Sequence, residues 1–163
     1  LRPNQIFAVS LPDTPLTAAR RRAVIDRCTR FLATPFGLRT LSPHEDRYLG
    51  HHSGTIAERE ASAHQGSAWV WLLPHYALAH YRVHGDRAAA LAVLEPLAEL
   101  LELSGMGFLP ELVEGAPPHA PRGAIAHAWA VGEALRVWHA LAAAPVRRPL
   151  GRGRRTLSLV GAR

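Results

Sequence analysis

Met106-Gly-Phe-Leu-Pro-Glu-Leu-Val-Glu-Gly-Ala-Pro-Pro-His-Ala-Pro-Arg-Gly123 interrupts the second half of this 163-residue chain. Its three glycines and four prolines deny it helical or strand periodicity, so turn chemistry sets its path. Apolar, Ala/Leu-rich segments with helical spacing flank it on both sides. The stretch is therefore a stiff loop between helices, and it carries Glu111, Glu114, His119 and Arg122. A polar, acid-bearing loop set among packed helices is the arrangement a site needs.

Working outward, Asp86 is placed to cap a helix running to about Leu103, with Leu91, Leu94, Leu97, Ala98 and Leu101 as its stripe. Pro96 must kink or split it, and Gly105 stops it. The stretch from about Ser67 to His84 reads as another helix, closed by Gly85. Beyond the loop, a helix from about Ala124 to Ala144 offers Ile125, Ala128, Trp129, Leu135, Val137, Trp138 and Leu141 as candidate core, and Pro145 ends it. Near the start, Asp13 or Thr14 with Pro15 caps a helix that stops at Pro35. Residues 1–12 read as an extended lead-in, and residues 35–66, with no sustained period, as a long loop of functional or disordered type. About four helices result, an all-α chain whose apolar faces call for more helices than it supplies.

Hydrophobic content of 48% with 20% charged residues marks a folded globular domain, and no run of eighteen apolar residues is present to span a membrane. Leu1-Arg-Pro-Asn has neither an initiator Met nor a signal-peptide layout, which points to a fragment. The one cysteine, Cys28, excludes an internal disulfide and fits a reducing, cytoplasmic setting, with a buried structural thiol as the expectation. The net charge of +6 resides in the tail: all thirteen acidic residues and thirteen of the nineteen arginines precede Pro145, and the other six arginines follow it. Residues 1–145 thus form the folded unit, and 146–163 an Arg-rich tail expected to be disordered. The tail interleaves no aromatics with its arginines, which argues against nucleic-acid binding by base stacking.

Ala63-His-Gln-Gly-Ser-Ala-Trp-Val-Trp71 places a His and a Gln before a glycine, then two tryptophans two apart. An indole offers an apolar face to the C–H side of a sugar, and His64 and Gln65 offer hydrogen bonds to hydroxyls. The competing reading is two core tryptophans beside a polar cap. On a helix only one of Trp69 and Trp71 faces a cleft with His64. Glu111 and Glu114 suit the paired carboxyls of glycoside hydrolysis, one to protonate the leaving oxygen and one to activate water. On spacing alone, a pair of solvated loop carboxylates is the favoured reading. Ten histidines, among them His44, His51-His52 and the His80/His84 pair, come without a Cys cluster or a His-Glu-x-x-His pattern, so neither a metal nor a cofactor is expected.

Five strings occur in order: Leu1-Arg-Pro-Asn-Gln-Ile-Phe-Ala-Val-Ser-Leu-Pro12, Thr34-Pro-Phe-Gly-Leu-Arg-Thr-Leu-Ser-Pro43, His64-Gln-Gly-Ser-Ala-Trp-Val-Trp-Leu-Leu73, Glu111-Leu-Val-Glu-Gly-Ala-Pro-Pro-His119 and Pro121-Arg-Gly-Ala-Ile-Ala-His-Ala-Trp129. Over about residues 1–140 the chain resembles the C-terminal end of the glycogen debranching enzyme (amylo-α-1,6-glucosidase) family. The resemblance implies part of an (α/α)6 toroid, a ring of paired helices with α-glucan bound by the loops at one end. It also implies hydrolysis, with inversion, of the α-1,6-linked glucose at branch points of glycogen or limit dextrin. Pro110-Glu-Leu-Val-Glu-Gly115 aligns with the family's Ser-Glu-Ile-Phe-Asp-Gly, which puts the catalytic base on Glu111 and sets Glu114 in place of Asp. His64, Gln65 and one of Trp69 and Trp71 would line the glucose pocket, with Arg39 and His119 as neighbours.

Four positions depart from the family pattern: Ala63 for Tyr, Val70 for Pro, His127 for Gln and Ala130 for Ser. The family's general acid is an Asp in a Thr-Trp-Met-Asp motif upstream, and these 163 residues hold no such motif. The chain alone is therefore expected to be inactive, with the upstream remainder of the glucosidase domain as its partner. The alternative is a noncatalytic α-glucan-binding or interaction module.

Overall fold

The structure, a computed structural model, describes residues 1–103 and 107–145. Gly105 as a helix stop and the Arg-rich tail 146–163 lie outside the described residues. Helices dominate, as a part of an (α/α)6 toroid requires.

A 3₁₀ turn, Pro3–Ile6, runs directly into α1, Phe7–Ser10. The extended lead-in expected over 1–12 is thus replaced by helical turns. Pro3 sits in the first turn, where its fixed φ and missing N–H cost nothing, and Ile6 and Val9, three apart, are both buried. Helix α2 spans Ala18–Phe31 and is capped by Thr17, whose hydroxyl accepts from Arg20 N at 3.4 Å. Asp13 and Thr14 do not cap it. The Thr14 hydroxyl instead donates to the Ala8 carbonyl and accepts from Leu16 N at 3.2 Å, which delays the helix by three residues. Ile25 and Cys28 of α2 are buried, and burial pushes the Cys28 thiol pKa up to about 12, leaving it unreactive.

Within the expected long loop the chain forms α3, Ile56–Gln65. Apart from Ser62, Ala63 and Gln65 it is exposed, so no apolar period announces it; its signal is a capping box. Thr55 Oγ1 accepts from Glu58 N at 3.3 Å, and Glu58 Oε2 accepts from Thr55 N at 2.7 Å. Thr55→Ala is expected to cost about 1 kcal/mol, seen as a fall in Tm of about 2–4 °C for a domain of this size.

Helix α4, Leu72–His84, is the hub, buried from Leu72 to Ala79 and packed against α1, α2 and two later helices. It begins later than the Ser67 expected from sequence, because Ala68–Trp69 pair as a strand. Gly85 ends it in the left-handed conformation, φ 71°. Asp86 then caps α5, Arg87–Ala92, by accepting from Ala89 N at 3.0 Å. Pro96 cannot donate to the carbonyl of Ala92, so the long apolar stripe splits there, and α6 runs Pro96–Leu103.

The final helix, α7, spans Ala128–Ala143 and packs on α4 and α5 through Ala130, Val137 and Leu141. Of its expected core, Ile125, Trp129, Leu135 and Trp138 are exposed. One helix face can turn inward, and apolar residues placed around more than that face are left outside. The expectation of uncovered apolar faces therefore holds for α7.

Four two-residue strands, unforeseen from sequence, sew the loops together: β1 Leu38–Arg39, β2 Ala68–Trp69, β3 Leu112–Val113 and β4 Pro121–Arg122. They pair antiparallel in the order β1-β2-β3-β4. Segments far apart in sequence converge here, and β3 brings the carboxylate-bearing loop to the middle of the sheet.

Candidate active site

Glu111 immediately precedes β3 and Glu114 immediately follows it. Side chains alternate along a strand, so the two glutamates leave on opposite faces. Glu111 is fixed from both sides by its own backbone: its N–H donates to Ala124 O at 2.9 Å, and its carbonyl accepts from Val70 N at 3.3 Å. Its carboxylate Oε2 accepts from Ala124 N at 3.0 Å, and the side chain is half-buried. Gly123 makes room for that carboxylate. Its φ is +70°, and a Cβ there would come within 2.5 Å of Glu111 Oε2. Gly123→Ala is expected to cost about 1–2 kcal/mol from the left-handed backbone alone. It should also push the carboxylate off Ala124, which a displaced Ala124 amide resonance would report.

Glu114 is enclosed, with 5% of its surface exposed. Arg122 donates to its Oε1 from Nε at 3.1 Å and from Nη2 at 2.9 Å, while His51 Nδ1 lies 3.2 Å from Oε2. Burial pushes the Glu114 pKa up, but the His51 hydrogen bond, the Arg122 charge and the His52 amide outweigh it and hold the group below the ordinary carboxylate value. A carboxyl kept ionised this way is a fixed negative charge and a poor proton donor. The pair Glu111/Glu114 therefore does not divide into acid and base.

The 51–52 loop is the part of the site that sequence reasoning missed. His52 Nδ1 pairs with Ser62 Oγ at 2.9 Å. Burial lowers its pKa, and so do the Arg59 and Arg122 charges, against an opposing pull from both Glu114 and Glu111. It thus lies within electrostatic reach of both carboxylates. Two adjacent histidines after Gly50 were the available signal, but only the folded loop brings them to Glu114. His119 adopts φ 64° and turns its ring back so that Nδ1 meets Glu114 O at 2.9 Å. It braces the turn that carries Glu114.

The remaining sequence candidates divide into two groups. His64 and Gln65 close α3, and the His64 ring stacks on Trp69 with centroids 6.3 Å apart. Trp69 anchors its indole N–H on Ala63 O at 2.9 Å. Arg2, also missed, clamps this corner: it donates to the His64 carbonyl, to Gln65 Oε1 at 2.9 Å and to Thr40 O at 3.0 Å. Arg39 commits Nε to Gly115 O at 2.8 Å and Nη1 to Ala33 O at 3.1 Å, tying β1 to the site turn. Trp71 does not join His64. It stacks on Trp129, centroids 4.0 Å apart, and on Phe7 at 5.7 Å. The His64–Gln65 corner meets the Glu114 turn at a place only glycines allow: a Cβ on Gly66 would lie 2.0 Å from Leu49 O, and one on Gly115 would lie 2.1 Å from Gly66 O. Among the described residues no cluster of three or more metal-ligating side chains forms.

The helical scaffold, with a half-buried carboxylate on a backbone-locked turn, is that of part of a helical toroid. Comparison with known families makes this specific. The family model described as Amylo-alpha-1,6-glucosidase matches residues 1–136, most of the chain, and the chain belongs to that family. No curated protein sequence gives a match.

Proposed function

We propose that this chain carries the catalytic base and part of the glucose-binding surface of an inverting α-1,6-glucosidase acting at the branch points of glycogen or limit dextrin. The observation that carries the reading is Glu111: its backbone is locked on both sides, and its carboxylate is steadied by one amide and left half open. A base that takes a proton from water needs this placement on a stiff element. His64, Gln65 and Trp69 supply a stacking face and hydrogen-bonding groups for the sugar, Trp71 being packed against Phe7 and Trp129 instead, with Arg39 and His119 holding the turn and the Glu114 charge beside it.

Inversion needs a second carboxyl on the opposite face of the sugar, about 6.5–9.5 Å from the first. Glu114, enclosed and ionised, does not supply it, and the chain contains no Thr-Trp-Met-Asp segment. The acid belongs to the upstream part of the domain, whose helices would find apolar surface on Leu135 and Trp138 of α7. A reducing cytoplasm suits the single buried thiol. No described helix is long and apolar enough to cross a membrane.

Glucose release from limit dextrin is the test, measured for this chain and for one supplied with the segment bearing the upstream Asp. Activity is expected only in the second. Glucan affinity in both, with activity in neither, would favour a noncatalytic binding module, the reading to which the missing acid lends support.

A further inference from the structure

Helices α2 and α4 pack against each other, and a cavity of about 160 Å³ opens where the first turns of α2 meet the end of α4. Ala18, Ala19, Arg21 and Arg22 line it from α2, and Arg82 and Val83 from α4. Three of these six residues are arginines and none is an acid. Residues three and four apart share a helix face, so Ala18, Arg21 and Arg22 turn toward the same hollow. The other end of α4 adjoins Glu111, whose carbonyl accepts from Val70 N. Thirteen residues at 1.5 Å each place the cavity about 20 Å along the helix from there.

Charge and unmet hydrogen bonding select the occupant. Among the described residues, neither the Arg21 nor the Arg22 side chain has a hydrogen bond or an ion pair, and Arg21 Nε is buried without an acceptor. A bound acceptor removes the penalty of that orphaned N–H. Arg82 is half-buried and steadied by donating Nη1 to the Leu11 carbonyl, which engages one of its five N–H donors. Burial lowers the Arg82 pKa and the Arg136 charge lowers it further, with Asp13 opposing more weakly. The surroundings thus remain positive after the nearby acid is counted. The positive end of the α2 dipole and the negative end of the α4 dipole meet here and offset each other, so the field comes from the arginines themselves. A neutral or apolar occupant would leave that charge uncompensated. A compact oxyanion with several acceptor oxygens compensates it, and the planar guanidinium fork matches phosphate in geometry.

We infer that the α2/α4 cavity is an anion site that takes a phosphate group, free or as the end of a small phosphomonoester, held between Arg21 and Arg22 on one side and Arg82 on the other. Such a ligand would tie α2 to α4. The site lies apart from Glu111 and does not depend on the α-glucan reading.

The experiment is a calorimetric titration of the full chain with inorganic phosphate and, separately, with glycerol 3-phosphate, both in chloride of matched ionic strength. Saturable binding at one site is expected. Phosphate binding alone assigns a free anion, and binding of the ester, with or without phosphate, assigns the end group of a phosphomonoester. Arg21→Gln and Arg82→Gln should each weaken binding about tenfold or more, the loss of a hydrogen bond to a charged group. Arg27→Gln removes the same charge from α2, but this guanidinium lies over Phe31, 5.6 Å from the ring centroid, and the variant should bind like the parent. If Arg82→Gln fails to fold for want of its bond to Leu11, Arg21→Gln still decides. So does the parent's Tm, which should rise in phosphate above its value in chloride. Affinity that survives Arg21→Gln and Arg22→Gln together resides on the arginines after Pro145 and overturns the site. An equal loss in Arg27→Gln marks diffuse attraction and overturns it as well. No binding of either ligand overturns it too, and leaves the function proposed above untouched.

Discussion

Replacing Glu111 with Gln is expected to lower kcat for glucose release from limit dextrin by about 10²–10⁴-fold, the range general-base catalysis contributes, in the form of the enzyme that also holds its acid. Gln matches Glu in shape and keeps an oxygen to accept from the Ala124 N–H, which lies 3.0 Å from the carboxylate. The fold, its Tm and the affinity for oligosaccharide should therefore stay near the parent's. Only the capacity to take a proton from water is removed, so the loss falls on kcat and not on KM. Glu111→Asp probes the same point differently. It keeps the base but draws it back by one methylene, away from Ala124 and from the water it must reach, and an intermediate loss follows. Full activity in Glu111→Gln would move the base to another residue and leave Glu111 as a turn-bracing side chain.

The parts of this molecule that the sequence made legible are those decided by local chemistry. Asp86 caps its helix, Gly85 ends the one before it and Pro96 splits the one after, because each acts on backbone groups within four residues. The stiff loop at 107–123 and the burial of Cys28 follow from similarly short-range signals. What was hidden depends on contacts across long stretches of chain. Ala68–Trp69 looked like the first turn of α4, and pairs instead with Leu38–Arg39 and Leu112–Val113. Helix α3 has no apolar stripe, and only Thr55 and Glu58 announce it. Trp129 carried the spacing of a core residue, yet the inward face of α7 belongs to Ala130, Val137 and Leu141.

The site divides along the same line. Five ordered motifs pointed to Glu111 and to the family, because motif residues are read one at a time. The partition of roles between Glu111 and Glu114 was not readable, since it depends on which face of β3 each takes. Nor was the part played by Arg2 and the His51-His52 loop, whose partners lie about sixty residues away. The outcome is an arrangement in which one carboxylate is held half open and the other is enclosed and kept ionised beside Arg122, a contrast set by the two-residue strand between them.

Glu114→Gln is the substitution expected to cost most in stability. The carboxylate is almost wholly enclosed and receives Arg122 through two nitrogens, the His51 ring and the His52 amide. Gln keeps the volume but turns an N–H₂ toward the Arg122 guanidinium or gives up one of the acceptor oxygens, leaving a charge without its counterion. Arg122 is 41% exposed and partly solvated, which reduces the penalty from that of a fully buried pair to about 2 kcal/mol, or about 4–8 °C in Tm for a domain of this size. The effect carries its own pH signature. The folded-state pKa of Glu114 lies below its ordinary 4.5, so the ionised form is favoured by folding. Its stabilising contribution is complete above that ordinary value and disappears as pH falls through the lower folded value. Thermal melts of parent and variant should therefore stay separated by a constant gap from neutral pH down to the ordinary carboxylate range, then converge in stronger acid. A gap that persists undiminished to the lowest pH at which the parent folds would mean that shape, and not charge, is what Glu114 contributes to the turn beneath Glu111.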